Sequence, residues 1–338
     1  MIKIGVIGYG YWGPNLVRNF MEVPCSTVAA VSDLSEDRLA KVRALYPSVK
    51  TTTNPLDLFN DPAIDAIAIA TPVASHFELA WQALQADKHV LVEKPLAPNS
   101  EQAVQLIEEA ARRNRVLMVD HTFVYTGAVM KIRDLVASGA LGEVYYYDSV
   151  RVNLGLFQRD VNVIWDLAVH DLSIMDFVLP LKPVAVSATG ISHIPGKPEN
   201  VAYMTLFFAN RQIAHFHVNW LAPVKVRRTL IGGSEKMIVY DDLEPSEKVK
   251  IYDRGITLFP KPEAVYELLV SYRSGDMWAP RLDMTEGLRT EAIHFVDCIK
   301  NNKRPETDGH AGLRIVRILE AAERSLRARG QLVELNYD

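Results

Sequence analysis

The sequence predicts an α/β chain in two parts. Residues 1–121 read as a parallel, doubly wound sheet. Residues 122–338 read as an α+β region on a mostly antiparallel open sheet, with the last helices able to pack back on the first part. Three observations lead there. Short apolar runs alternate with amphipathic stretches through the first 121 residues, the sign of βαβ units. A glycine-rich turn follows the first of those runs directly. Past residue 140 the helical stretches thin out and β-like runs follow one another. The length of 338 residues agrees with two domains, since a single hydrophobic core stops growing near ~250–300 residues.

The elements follow in order. Residues 2–8 are a compact apolar strand. A helix over 13–22 comes next, with Pro14 tolerated in its first turn. Residues 26–33 are a second strand, and 35–46 a helix opened by Ser35, Glu36 and Asp37. A strand at 64–71, a helix at 76–87, a strand at 88–94, a helix at 100–114 with Ser100 at its start, and a strand at 115–121 complete the first part. These strands are apolar nearly throughout, as strands buried on both faces are. A helix at 126–138 ends at Ser138-Gly139. Strands follow at 142–154, 183–192, 200–208, 211–220, 225–233, 236–242 and 248–253, interrupted by a helix at about 164–179. Ala209-Asn210 reads as a tight hairpin turn. Residues 211–218 alternate, so one sheet face is covered and the other open. Helices at 284–301 and 309–329 close the chain.

Composition excludes several classes. The chain is 49% hydrophobic and 23% charged, the balance of an ordinary soluble globular protein. A net charge of −4 argues against a dedicated nucleic-acid surface, which carries a concentrated basic excess. Two cysteines, Cys25 and Cys298, cannot build a disulfide framework and read as reduced thiols. No apolar run reaches the ~20 residues that span a bilayer, and the first residues lack the basic region and cleavage site of a signal peptide. The expected location is cytoplasmic. No metal is expected: His121, His193, His215 and His217 have no ligand spacing.

Gly8-Tyr9-Gly10-Tyr11-Trp12-Gly13 is a GxGxxG turn. Alone the pattern is weak. Here it ends a strand, opens a helix, and has Asp33 at the end of the second strand, which is the Rossmann fingerprint for a dinucleotide. The helix N-terminus would offer N–H groups to the phosphates, and Asp33 would accept the adenosine ribose hydroxyls. A carboxylate there repels a 2′-phosphate, and Leu34 follows where an NADP enzyme often offers Arg. Arg38 is expected to face out from the next helix. NAD is therefore favoured over NADP. The bland alternative is a βα turn with a surface Asp.

Two further patterns carry chemistry. Glu93-Lys94-Pro95 ends the fourth strand, and the C-terminal edge of a parallel sheet is where ligands bind. Lys94 could polarise a hydroxyl or act as a base; alternatively it is a solvated lysine. Asp166 and His170 are four apart and would share one helix face. A carboxylate beside an imidazole suits proton transfer near neutral pH; the alternative is a helix acid with a half-buried histidine.

Together the motifs resemble the glucose-fructose oxidoreductase / inositol dehydrogenase family (Gfo/Idh/MocA). The residues are GYGYWG at 8–13, Asp33, Ala70-Thr71-Pro72 with His76, Glu93-Lys94-Pro95, the Asp166/His170 pair and the stretch 285–325. The resemblance covers essentially the whole chain. It implies an NAD(P)-dependent oxidoreductase acting on a polyol or sugar hydroxyl, with Lys94 and His170 catalytic and Asp166 beside them. Gly8, Gly10, Tyr11, Trp12, Gly13, Asp33, Thr71, Pro72, His76 and Glu93 would line the cofactor, and Lys94-Pro95 could be cis.

The finer likeness, in Tyr11-Trp12-Gly13-Pro14-Asn15 and 165–174, is to the bacterial branch that oxidises UDP-N-acetylhexosamines to 3-keto sugars for later amination, in lipid A or surface polysaccharide synthesis. Arg151, Asn153, Lys225, Arg227 and Arg228 would suit a substrate diphosphate, or else lie on a solvated sheet face or a subunit contact. Val218, Trp220, Val239 and Tyr240 are candidates to bury the open sheet face in a homodimer or homotetramer.

Overall fold

The computed structural model describes residues 1–155, 161–258 and 270–337. The chain divides into two compact units, one of residues 1–126 and 285–320, the other of 127–284 and 321–338. The first unit thus extends five residues past 121, because Val124 and Tyr125 of a 3-10 turn (Thr122–Tyr125) are buried in it. It also takes back 285–320 from the end of the chain.

The first unit holds β1 (Ile2–Ile7), α1 (Gly13–Glu22), β2 (Ser26–Ser32), α2 (Glu36–Leu45), β3 (Lys50–Thr52), α3 (Leu56–Phe59), β4 (Ala66–Ile69), α4 (His76–Gln85), β5 (His89–Glu93), α5 (Ser100–Arg112) and β6 (Leu117–Asp120). The sheet order is β3-β2-β1-β4-β5-β6, all parallel. The chain reverses direction across the sheet between β1 and β4, which places a crevice at the C-terminal ends of both strands. β4 and the middle of β5 are wholly buried, as their unbroken apolar runs require. β3 and α3 have no expected counterpart: Lys50-Thr51-Thr52 offers no apolar run to read. α5 is capped by Asn99, whose Oδ1 accepts the Gln102 N–H at 2.9 Å, one residue before the expected Ser100.

The second unit holds α6 (Gly127–Ala137), β7 (Val144–Leu154), a π-helical turn (Ile164–Ala168), α7 (Val169–Val178), β8 (Pro183–Ile191), β9 (Val201–Phe208), β10 (Ile213–Asn219), β11 (Leu221–Gly233), β12 (Met237–Asp241), β13 (Val249–Tyr252), β14 (Gly255–Leu258), β15 (Val270–Arg273) and β16 (Met277–Trp278). α8 (Gly287–Asn301) returns to the first unit. α9 (Gly309–Arg327) passes from the first to the second, which β17 (Val333–Glu334) completes.

The nine-stranded order is β16-β13-β12-β11-β7-β10-β9-β8-β17, antiparallel except for β7 beside β10. The tight turn expected at Ala209-Asn210 is longer. Asn210 Oδ1 accepts the Gln212 N–H at 3.1 Å, and β10 begins only at Ile213.

Alternation in β10 follows the pleat, with Ala214, Phe216 and Val218 buried. Val218, Trp220, Val239 and Tyr240 are all buried within the chain, which removes them as partner-facing residues. Val218 and Trp220 are in phase with Phe216, on the covered face. The other face carries Tyr203, Phe207 and Ile213, all exposed, with Tyr203 stacked on His217 at 4.5 Å. No helix among the described residues is long and apolar enough to cross a membrane.

Candidate functional site

The glycine-rich turn is built from close approaches. Gly8 has φ +95°, and a Cβ there would stand 2.5 Å from the Ala70 carbonyl oxygen. At Gly13 a Cβ would meet the Gly8 oxygen at 2.0 Å, so α1 packs against the turn only without a side chain. Gly10 has nothing nearer than the Arg38 guanidinium, at 3.7 Å. α1 begins with Pro14 in its first turn and no side-chain cap. Pro14 has no N–H, and the Asn15 and Leu16 N–H groups donate to the Trp12 carbonyl at 2.9 and 3.3 Å. The Gly13 N–H is what the first turn leaves for a ligand, and an anion is the ligand it suits. Tyr11 is exposed at the tip, and Trp12 is half-buried. These residues fit a dinucleotide, whose pyrophosphate the turn from Gly8 to Gly13 would hold.

Asp33 stands directly after β2, nearly buried. Its Oδ2 accepts the Tyr9 N–H at 2.6 Å and its Oδ1 the Ser35 N–H at 2.8 Å. The carboxylate is thereby aimed across the turn, where a ribose would lie. Arg38 departs from expectation. It folds back, with Nη1 3.3 Å from Asp33 Oδ2, and lies beside Gly10. The ion pair accounts for that orientation.

Thr71 and Pro72 follow β4. Thr71 Oγ1 accepts the Ser75 hydroxyl at 2.8 Å, and Pro72 is exposed. His76 is placed differently from the expectation that it lines the cofactor. It is 1% exposed, with Nδ1 2.8 Å from the Pro95 oxygen and Nε2 2.8 Å from the Thr71 oxygen. Burial pushes its pKa down against the pull of the two carbonyls, and the ring ties the loop after β4 to the loop after β5. Lys94-Pro95 is cis, and Lys94 donates its own N–H to the Glu93 carboxylate. Lys94 is half-buried at the C-terminal edge of the sheet.

In the second unit, Asp166 and His170 do not share one regular α-helix. Asp166 lies in the π turn and His170 in the first turn of α7. π turns are frequent at functional sites. Asn162 Oδ1 opens this segment by accepting the N–H groups of Ile164 and Trp165, at 3.1 and 3.3 Å. Asp166 Oδ2 accepts the Trp220 indole N–H at 3.0 Å. His170 is half-buried, next to Asp171.

The expected anion-binding set does not assemble as such. Arg151 is 3% exposed and makes a two-pronged ion pair with Asp171, at 2.7 and 3.0 Å. A guanidinium enclosed in that way braces α7 against β7 and cannot meet a diphosphate. Arg227 is its register partner on β11 and pairs with Asp242 at 3.1 Å. Asn153 is half-buried near the end of β7. Lys225 is exposed, where the β11 register shifts between Leu221 and Val226. Arg228 is exposed and in phase with the opposite face from Arg227.

The sequence patterns assign no role to Asp120 and Glu291, and they place Trp220 on a partner-facing surface rather than at Asp166. Asp120 Oδ2 accepts the Trp12 indole N–H at 2.6 Å, and Glu291 on α8 is fully buried. A lone acid within an apolar helix face is the one signal that marks Glu291. Among the described residues, no group of His, Cys, Asp and Glu is arranged to hold a metal. Cys25 is exposed and Cys298 buried, both free.

Comparison with known proteins agrees with this architecture. Residues 2–121 match the Gfo/Idh/MocA model described as an oxidoreductase family with an NAD-binding Rossmann fold, and residues 129–239 match the family's C-terminal domain. The chain is 32% identical over 262 residues to the uncharacterized oxidoreductase YdgJ of Escherichia coli K12, covering 73% of each. It is 28% identical over 324 residues to the UDP-N-acetylglucosamine 3-dehydrogenase of Acidithiobacillus ferrooxidans, covering 93% of this chain and 94% of that one. The solved structure of that enzyme superposes with a TM-score of 0.82 at 25% identity, over 98% and 99% of the two chains. The myo-inositol 2-dehydrogenase of Thermotoga maritima is 24% identical over 343 residues, 96% of each chain. The chain belongs to the Gfo/Idh/MocA family of oxidoreductases, and its first unit carries that family's NAD-binding Rossmann fold.

Proposed function

We propose that this enzyme uses NAD to oxidise a ring hydroxyl, at carbon 3, of a nucleotide-linked sugar such as UDP-N-acetylglucosamine. The observation that carries this reading is the likeness, along nearly the whole of both chains, to the UDP-N-acetylglucosamine 3-dehydrogenase. The product would be a keto sugar open to amination, for lipid A or surface polysaccharide, made in the cytoplasm. Bound NAD supplies the hydride acceptor. His170 takes the hydroxyl proton, and Lys94 offsets the charge that develops on the same oxygen. Asp166, fixed by the Trp220 indole, orients the proton transfer. Asp33 favours NAD by repelling a 2′-phosphate. Asn153 and Lys225 remain for the anionic part of the substrate. The open sheet face, with Tyr203, Phe207 and Ile213 exposed, suits a homodimer or homotetramer of closed symmetry.

A second reading is oxidation of a free cyclic polyol or sugar. One observation favours it: Arg151 and Arg227 already have carboxylate partners in Asp171 and Asp242, which leaves fewer cations for a diphosphate. Purified protein with NAD and a panel of UDP-sugars and free polyols separates the two by absorbance of the reduced cofactor. Products are checked by mass, so that a recycled cofactor does not hide turnover. Turnover of polyols alone removes the nucleotide sugar. No turnover in either direction leaves a cofactor-sensing binding protein.

A further inference from the structure

Three carboxyl groups meet inside the first unit. Glu93 and Asp120 are register partners at the ends of β5 and β6. Glu291, on α8, is fully buried and acts on both. Asp120 uses both its oxygens as acceptors: Oδ2 takes the Trp12 indole N–H at 2.6 Å, and Oδ1 takes the Thr122 hydroxyl at 2.5 Å. The Thr122 hydroxyl also lies near Glu291, but its single proton goes to Asp120. Neither Glu291 oxygen receives a hydrogen bond from the described residues, while its carboxyl stands in hydrogen-bond contact with that of Asp120. Two carboxyls in contact hold one proton between them, and it belongs to Glu291, the one with no donors of its own.

We infer that Glu291 is a positioning residue of the dinucleotide site: through its hydrogen bond to Asp120 it holds Trp12, and with it the turn that ends at Gly13. This rests on the glycine-rich turn being the dinucleotide's seat. Trp12 occupies the last place before Gly13, and its backbone position is the N-cap of α1. A side chain tethered there fixes the direction in which the next N–H, that of Gly13, points. The tether reaches Asp120 on β6, and Asp120 in turn reaches α8, which packs on α1 through Phe20 and Phe295 with ring centroids 6.2 Å apart. The titratable groups that act on the Glu291 carboxyl are Asp120 on β6 and Glu93 on β5, and it acts in turn on Tyr125 on the 3-10 turn. Burial first, then the Asp120 charge, hold that carboxyl well above the usual range, in agreement with a proton retained at neutral pH.

Two readouts test this on the full chain. One is the Kd for NAD and NADP; the other is the indole N–H resonance of Trp12, recorded without cofactor. Glu291→Gln keeps a donor of the same shape and is expected to leave both within twofold of, or unshifted from, wild type. Glu291→Leu removes the donor. It is expected to move the indole signal upfield and to weaken cofactor binding about tenfold, as Trp12→Phe also should. The double variant Trp12→Phe/Glu291→Leu should be no weaker than the poorer single one. Losses that multiply to about a hundredfold, or a folded Glu291→Leu with an unmoved indole signal, would overturn the inference. If the leucine variant does not fold, Glu291→Met, a flexible side chain without the donor, takes its place: an indole signal moved upfield upholds the tether and an unmoved one refutes it. Wild type that binds neither dinucleotide would refute the seat instead, while the indole signal still reports on the tether.

Discussion

The Trp220 indole N–H donates to Asp166 Oδ2 at 3.0 Å, across 54 residues of chain. Trp220 is buried, and Gly155 lies so close to its ring that a Cβ there would stand 2.4 Å away. The Asp166 carboxylate, four residues before His170, is thus held by a rigid aromatic group. Trp220→Phe keeps the ring and loses the donor. A hydrogen bond to a charged group is worth about 1.5–3 kcal/mol, so kcat should fall about ten- to hundredfold with the Kd for NAD unchanged. Steady-state kinetics with a separate cofactor titration would show it; an unaltered kcat would remove Trp220 from the machinery.

Lys94→Ala and His170→Asn should each lose most of kcat and keep cofactor affinity. Dinucleotide binding by fluorescence, beside turnover of the sugar that the panel identifies, separates the two effects. Near-normal kcat in either variant would strike that residue from the proposed pair.

On the proposed reading, Asp33 and Arg38 together select the cofactor. Arg38 sits 3.3 Å from the Asp33 carboxylate and beside Gly10. Asp33→Ala removes the repulsion toward a 2′-phosphate and releases a guanidinium already in reach. NAD binding should weaken and the preference shift toward NADP about tenfold. Arg38→Ala added to Asp33→Ala should cancel the gain for NADP. An unchanged preference in Asp33→Ala would show that selection lies elsewhere.

Arg151 and Asp171 form an enclosed pair, so breaking it should cost stability more than binding. Removing one partner of a buried pair costs about 3–5 kcal/mol. Arg151→Ala should therefore lower the denaturation midpoint sharply. The protein that remains folded should keep its KM for substrate, and a selective rise in that KM would restore Arg151 to the binding site.

His89 sets one limb of the pH dependence. It is half-buried, its Nδ1 accepts the Val116 N–H at 3.0 Å, and burial, then the Arg115 charge, push its pKa down to about 4. The neutral ring belongs to the folded state. Its contribution is whole above the ordinary value near ~6.5 and is lost as pH falls through about 4. Urea unfolding at pH 7 and pH 5 should show a smaller acid loss in His89→Gln than in wild type. Equal losses would assign the acid limb to other groups.

The parallel sheet was legible because its strands are buried on both faces and so carry unbroken apolar runs, as Ile67 and Val90 to Val92 show. The glycine turn was legible because steric need leaves glycine alone at Gly8 and Gly13. β3 was not, since an edge strand of three polar residues has no pattern to read. Arg151 misled for a general reason. An arginine on a strand looks the same whether its carboxylate partner is a ligand or Asp171, and the partner here lies on another element. Trp220, Asp120 and Glu291 act through contacts between residues far apart in the chain, which no local spacing reports.

Residues 285–320 have a consequence for how the molecule is made. β6 is the edge of the parallel sheet, and its Val119 exchanges hydrogen bonds with Thr307, N–H to carbonyl at 2.8 Å and hydroxyl to carbonyl at 2.7 Å. Met118 bridges Asp308 beside it. A nascent chain emerges from the ribosome with that edge bare. At ~5–20 residues per second, roughly 10–40 s pass before the covering segment is synthesised. The unit that starts first is closed only after most of the other has emerged, so an open β edge exists in every newly made molecule during that interval.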